Sequence, residues 1–305
     1  MANSSFMEGV HLPLRSISLP SRLPSSSLKI VAELSKFKSP DCSSSSLRAE
    51  TIRANMVRLA ELYVGFEELI TAPLTQQAIL RDRNGRAMQE ALDESVTALD
   101  ACGFARDLMA RTKDEIQDLR SAIRRKGGIN SSIEIHAQSF MSFRKNAKKD
   151  VAKYLGLFKT LESKNPNNSS KFLNLDDHLV MAVEVLKELN LVTISILKSL
   201  LIFASLTKSN TRTRGWPLVS RLMLLSSEKG GKKVFNEVES VDRAVSSIHG
   251  QATRKADGGS DALEAAREQL EILERCVEGF EDGLDQLYKC LIGNRVSILN
   301  ASTAP

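Results

Sequence analysis

The sequence predicts an all-α protein: an antiparallel bundle, or stacked hairpins, of long amphipathic helices behind a disordered Ser-rich N-terminal tail. Three observations predict this fold. Apolar residues recur at spacings of three and four in several long segments, which is the period of an amphipathic helix. Aromatic residues make up only 5% of the 305 residues, so aliphatic side chains must fill most of the core. No segment alternates apolar and polar residues over the length of a strand.

The predicted tail is residues 1–46, which contain fourteen serines and four prolines. Such a composition buries too little apolar surface to support a core of its own. Import into plastids or mitochondria is the weaker interpretation, because Glu8, Glu33 and Asp41 interrupt the segment. The amino terminus carries no secretory pattern and the four cysteines are scattered, so we expect a reducing, cytoplasmic location.

Residues 47–305 form the predicted helical domain, and each element follows from its apolar spacing. A first core helix spans Ile52 to Ile70 and ends before Pro73. A second uses apolar positions from Leu92 to Ile123 and stops at the glycines of 127–128. Later helices are predicted at 140–161 (on Phe140, Phe143, Ala147, Val151, Tyr154, Phe158 and Leu161), about 175–206, 216–225 and 234–248, with a loop at 164–171.

The last helix carries the clearest pattern in the chain. Between Ser260 and Leu291 its apolar residues alternate at spacings of three and four, the seam of a helix that packs along another helix. The seam either packs inside one chain or binds a second copy. Its residues are Leu263, Ala266, Leu270, Leu273, Val277, Phe280, Leu284, Leu287 and Leu291.

Charge is segregated along the chain, although the formal net charge is only +5. From Arg120 to Lys153, nine Lys or Arg face two acids, a net of +7; from Asp261 to Tyr288, nine acids face two arginines, a net of −7. We expect the basic run either to form a solvated face or to pair with the acidic helix. The basic run could also contact anionic lipid, whereas the lack of interleaved aromatic residues disfavours nucleic acid.

One segment has an alternative in a membrane. Residues 189–206 form an 18-residue apolar run, which reaches the length of a span. Lys198 near its centre would cost ~2.5–3.5 kcal/mol on insertion scales. A helix buried inside the bundle is therefore favoured, and a membrane-associated helix is the alternative.

Candidate chemistry is weak, so the sequence predicts no catalytic residue, no cofactor site, no metal site and no enzymatic activity. The compact cluster of Asp176, Asp177 and His178 is typical of a helix amino terminus. Cys102 lies at helical spacing among apolar residues, which favours a packed thiol. The glycines and lysine of 230–232 lack the spacing of a phosphate loop. The four histidines are far apart, at His11, His136, His178 and His249.

A short motif in the tail is a more specific functional signal than these catalytic and metal-site candidates. Arg15, Ser18 and Pro20 belong to the order R-S-x-S-x-P, which matches the peptide that 14-3-3 proteins bind once the second serine is phosphorylated. We therefore take Ser18 as a candidate phosphosite and 14-3-3 proteins as candidate partners.

Several ordered blocks of the chain are distinctive when taken together. They are SISLPSR from Ser16, LYVGFEELITAPLTQQAI from Leu62, LDACGFARDLM from Leu99, EIQDLRSAIRRK from Glu115, WPLVSRLM from Trp216 and LYKCLIGNRVSILN from Leu287. From Ser16 to near the carboxyl terminus, the chain resembles one plant family, the Bypass-related proteins, also called the DUF241 family. The resemblance implies an all-helical domain and a connection to root and shoot development, and it supplies no catalytic residues.

Overall fold

The computed structural model describes residues 25–37, 48–82, 85–125, 131–164, 176–206, 236–252 and 259–303. Helices account for nearly all of these residues and no strand occurs among them, so the all-α prediction is confirmed for the described part. In chain order the helices are α1 (Ser25–Phe37), α2 (Ala49–Thr71), α3 (Pro73–Arg81), α4 (Arg86–Arg124), α5 (Ser131–Lys164), α6 (Asp177–Ser205), α7 (Glu237–Ala252) and α8 (Gly259–Thr303).

The predicted core helices correspond to α2, α4, α5, α6, α7 and α8. Pro73 separates α2 from α3 because it occupies the first turn of the new helix, where a missing N–H costs nothing. Helix α8 continues past the predicted seam as far as Thr303. The predicted helix at 216–225 lies outside the described residues. Of the loop predicted at 164–171, Lys164 is the last residue of α5 and the others lie outside the described residues.

Helix α1 lies within residues 1–46, the segment that the sequence predicts to be largely disordered. Its Ile30 and Leu34 are each only 4% exposed, and the helix packs on α2 and α6. The Ser- and Pro-rich composition of the whole segment hid a short amphipathic pattern in which Ile30, Leu34 and Phe37 recur at spacings of four and three. Residues 1–24 and 38–46 of the predicted tail lie outside the described residues.

The two longest helices, α4 and α8, form an antiparallel pair. Arg106 contacts Asp285 and Lys113 contacts Glu281, so positions ascend along one helix as they descend along the other. Helix α2 instead runs in the same direction as α8. The Cys290 thiol donates to the carbonyl of Ala60 (3.9 Å), and seven residues later Ser297 donates to Glu67 (3.0 Å). The bundle therefore contains a parallel pair as well as antiparallel ones.

Helix α6 occupies the centre of one half of the bundle. It packs on α1, α2, α3, α4 and α5, and apolar residues point inward from most sides of it. Two of its polar residues form hydrogen bonds inside the core: Thr193 contacts the Tyr63 hydroxyl (2.8 Å), and Asn190 donates to the carbonyl of Ala91 (3.2 Å). Most apolar residues of the run at 189–206 are thus buried, whereas Leu191 keeps 47% of its surface exposed. Across the described residues, no helix combines the length and apolar composition that a membrane crossing requires.

The other half of the bundle is built from α5 and α7 against α4 and α8. The first turn of α7 lies beside the last turn of α6 in space. The side-chain amide of Asn236 donates there to the carbonyl of Phe203 (3.1 Å). Helices α4 and α5 are antiparallel, with the rings of Phe104 and Tyr154 stacked at 3.8 Å between centroids and Ser139 donating to Glu115. The long helices α4 and α8 therefore connect both halves.

Candidate interaction surfaces

The seam of α8 lies inside the chain, where it packs on α2, α4 and α7. Every seam residue is buried, and Phe280 meets the ring of Phe203 edge to face at 5.3 Å between centroids. Gly283 lets α2 approach closely, since a Cβ there would lie 3.0 Å from the sulfur of Met56. The predicted seam is thus occupied by helices of the same chain.

A row of ion pairs, here called the α4/α8 ladder, runs beside this seam. Arg106 pairs with Asp285 (2.7 Å) and Lys113 with Glu281 (2.8 Å). The hydrogen bond to the Glu281 carboxylate raises the pKa of Lys113 above its usual range. Further along the row, Arg120 contacts Glu274. The pairs recur at seven residues along α4, which is two helical turns.

The ladder partly corrects the predicted pairing of the basic and acidic helices. The acidic helix α8 finds its cations on α4, and among the described cations of the basic run Arg120 takes part in the ladder. Arg124 and Arg125 lie at the end of α4, whereas the cations from Arg144 to Lys153 lie on α5, where Arg144 and Lys148 pair with Asp242 of α7. Segregated net charge therefore identified the acidic surface but not the helix whose cations pair with it, because net charge carries no information about which face a residue occupies.

The contact between α5 and α7 centres on Arg144, which is only 4% exposed. Its guanidinium donates to both carboxylate oxygens of Asp242 (2.8 and 3.2 Å), the fork-like geometry that suits arginine. It also donates to the carbonyl of Ala204 (2.5 Å) at the carboxyl end of α6. Lys148 approaches Asp242 at 3.6 Å, and burial lowers the pKa of this lysine. We call Arg144, Lys148 and Asp242 the α5/α7 charge cluster.

The spacing of apolar residues does not predict that Arg144 is buried. The sequence pattern placed Phe143 on the core face of α5 and Arg144 on a charged face, whereas Phe143 is only partly buried and Arg144 is buried. Phe140, Arg144 and Ala147 follow spacings of four and three, which is equally helical. Apolar spacing favours Phe143 over Arg144 as the core residue. The sequence of α5 alone does not reveal that α6 and α7 supply hydrogen-bond acceptors for a buried arginine.

The outer face of α5 remains basic. Lys145, Lys149 and Lys153 lie at spacings of four on exposed positions, and Lys153 also contacts Asp150 (3.2 Å). Leu157 follows on the same side, 55% exposed. A cationic row that ends in an exposed apolar residue is the type of helix surface that can contact anionic headgroups.

The other sequence candidates have structural positions. Asp176 caps α6, with the backbone N–H of His178 donating to its carboxylate (2.9 Å). Cys102 is buried on α4, where its thiol approaches the carbonyl of Leu284 (3.7 Å) and burial raises its pKa to about 12. His249 contacts Glu134, and it lies far from the α6 cap.

No three His, Cys, Asp or Glu side chains are grouped as metal ligands in the described part of the chain. The glycines and lysine of 230–232 and the tail motif of Arg15, Ser18 and Pro20 lie outside the described residues. His11 also lies outside them.

Comparison with known proteins gives one family. No curated protein and no solved structure matches this chain significantly. The family model described as Protein BPS1 matches residues 55–301, from the first half of α2 almost to the end of α8. Because that match covers most of the chain, the resemblance seen in the sequence blocks is confirmed, and the chain belongs to the Protein BPS1 family, the Bypass-related family.

Proposed function

We propose that this chain is a non-enzymatic interaction protein of plants that acts in root and shoot development, with a preformed helical body and a phosphorylatable tail. The observation that carries the proposal is the way the body uses its reactive and charged side chains. The thiol of Cys102 is packed, Asp176 caps a helix, and the ladder and the charge cluster join helices to one another. These side chains stabilise the packing of the helices and so fix the surface that the bundle presents to a partner.

The tail carries the proposed binding motif for 14-3-3 proteins. Phosphorylation of Ser18 would add about 1.5–2 negative charges beside Arg15, and Pro20 lets the peptide turn away, the arrangement that the basic groove of a 14-3-3 protein binds. The motif ends before the start of α1, so docking there requires no rearrangement of the family-matched body.

A binding experiment tests this partner. A peptide from Pro13 to Pro24 phosphorylated at Ser18 is expected to bind purified 14-3-3 protein, and its unphosphorylated form is expected not to. In the full chain treated with kinase, Ser18→Ala should abolish the pull-down and Ser43→Ala should not. Equal binding of the two peptides would exclude 14-3-3 proteins as partners of this motif. Root and shoot growth in plants lacking the chain that equals wild-type growth would exclude the developmental role.

A second function is favoured by the outer face of α5: contact with an anionic membrane surface. Each basic residue near such a surface contributes about 1 kcal/mol, and the attraction falls off within a Debye length. Most apolar residues of the run at 189–206, the other half of the membrane alternative, are packed inside the bundle. The proposal therefore concerns electrostatic contact through Lys145, Lys149 and Lys153.

Sedimentation with vesicles tests the second function. The full chain should pellet with vesicles containing phosphatidylserine at low salt, stay in solution with neutral vesicles, and be released at high salt. Lys145→Glu combined with Lys149→Glu should abolish pelleting. The matched control is Lys289→Glu, which reverses an exposed charge on α8. Pelleting that the double variant retains would exclude this face as the contact.

A further inference from the structure

Helix α1 is attached to the bundle by a much smaller buried face than the long helices of the family-matched region. It precedes residue 55, where the family match begins, and it packs on the outside of α2 and α6. Two of its described side chains, Ile30 and Leu34, are buried. By contrast, nine seam residues of α8 are buried along most of that helix. A short helix with so small a buried face depends on the groove that receives it.

The groove has a notch that fits α1. Gly65 of α2 faces Ile30, and a Cβ at this glycine would lie 3.2 Å from Cγ1 of Ile30. That separation is tighter than ordinary van der Waals contact, so the isoleucine seats against α2 because the glycine has no side chain. Leu34 follows one turn later on the same face of α1.

The rim of the groove carries polar contacts. The guanidinium of Arg58 approaches the Glu33 carboxylate (3.5 Å) and lies over the Phe37 ring, 4.6 Å from its centroid. Lys36 also contacts Glu33, and its hydrogen bond holds the pKa of that carboxyl below the usual range. Because these groups are solvent-exposed, salt screens their attraction.

The contact is also bordered by solvent. An open groove of about 270 Å³ lies between α1 and α2. Its walls include Lys29, Glu33, Arg58, Glu61, Gly65 and Glu68. Because water reaches this side of the contact, α1 is held there by a narrow apolar strip.

We propose that α1 is a releasable latch: the groove on α2 and α6 is a helix-docking site that α1 occupies in cis and vacates without unfolding the bundle. The groove therefore takes amphipathic helices of the α1 type, with two branched aliphatic residues one turn apart, an aromatic residue three positions later and a carboxylate for Arg58. This device requires neither the 14-3-3 motif nor a membrane.

Hydrogen exchange in the full chain tests the release. Amides of α1 are expected to exchange at least about tenfold faster than those of α2, because local opening needs less free energy than global unfolding. Gly65→Leu fills the notch and should raise exchange in α1 alone. Gly156→Leu is the matched control, since a Cβ at Gly156 of α5 meets no atom within 4 Å. Protection of α1 equal to that of α2 would show that the helix is a fixed part of the core.

A peptide experiment tests the docking site. In the full chain carrying Ile30→Asp and Leu34→Asp, α1 should leave the groove while the helical circular dichroism of the bundle persists. A fluorescent peptide of residues 25–37 should then bind this variant at least about tenfold more tightly than it binds the wild type, where α1 competes. Adding Gly65→Leu should abolish that binding. Loss of the bundle's helicity, or a peptide that binds neither chain, would overturn the latch.

Discussion

The α4/α8 contact and the α5/α7 contact both pair cations of one helix with acids of the other, yet they are built differently. Between α4 and α8 the apolar seam is buried, and the ladder beside it starts exposed at Arg106 and Asp285, which keep 37% and 51% of their side-chain surface, and becomes buried at Arg120 and Glu274, which keep 13% and 12%. Between α5 and α7 the charge is in the core, where Arg144 and Asp242 keep only 5% and 18%. The Arg106–Asp285 pair and the Arg144–Asp242 pair therefore occupy opposite positions relative to solvent.

The difference teaches where stability resides. An exposed ion pair contributes about 0–1 kcal/mol, because water and salt screen it and two flexible side chains must be ordered. A buried pair gains little over an apolar replacement, but removing one partner leaves an uncompensated charge and costs about 3–5 kcal/mol. We therefore expect the α4/α8 contact to depend on its seam and the α5/α7 contact to depend on its charges.

The largest effect is expected from Leu284→Asp, which would place a carboxylate in the buried seam beside Cys102. Loss of the buried leucine and burial of a charge should together lower the free energy of unfolding by about 4 kcal/mol or more. Leu273→Asp, about three helical turns earlier on the same seam, should act similarly. Urea titration followed by circular dichroism measures the loss.

The control for the seam is Asp282→Ala on the outer face of α8, which should leave the free energy of unfolding nearly unchanged. Light scattering adds a second readout. Since the seam packs within one chain, the seam variants should lose helicity as monomers. A wild-type dimer that Leu284→Asp converts into a stable, fully helical monomer would contradict the intrachain assignment.

The next effect in size concerns the charge cluster. Asp242→Ala leaves Arg144 and Lys148 without their carboxylate and should lower the free energy of unfolding by about 3 kcal/mol. Replacing both members of the main pair, Arg144→Met with Asp242→Leu, should recover part of that loss, because no uncompensated charge then remains on that pair. A double variant less stable than Asp242→Ala would show that the bonds from Arg144 to the end of α6 dominate.

The same contrast explains what sequence could predict. The seam of α8 and the core of α2 followed from spacing alone, because apolar side chains at helical period have one favourable place. The charge cluster did not, because burial of Arg144 depends on Asp242, about a hundred residues away, and on carbonyls at the end of α6. Helix α1 was missed because two buried residues produce too short a pattern to stand out from a Ser-rich segment.

A smaller effect should appear at alkaline pH in the α4/α8 core. Burial raises the pKa of the Cys102 thiol to about 12 in the folded chain, from 9.0, so between these values the unfolded state binds fewer protons than the folded state. Stability should therefore fall as pH rises above 9, by at most ~1.4 kcal/mol per pH unit for this one group. Cys102→Ala should make the slope shallower. An unchanged slope between pH 9 and 10 would show that the thiol titrates normally.

The smallest loss of stability is expected from the exposed end of the ladder, the Arg106–Asp285 pair. Asp285→Asn removes the carboxylate that Arg106 contacts at 2.7 Å, but the guanidinium keeps its position over the Tyr288 ring, 4.5 Å from the centroid. Because both groups of the ion pair are exposed, the free energy of unfolding should fall by only ~0.5 kcal/mol, and the difference from wild type should shrink further in 1 M salt, where the Debye length is about 3 Å. Urea titrations at low and high salt measure both quantities. A loss as large as that of Asp242→Ala, or one that salt leaves unchanged, would mean that the ladder is as essential to its contact as the buried cluster is to α5 and α7.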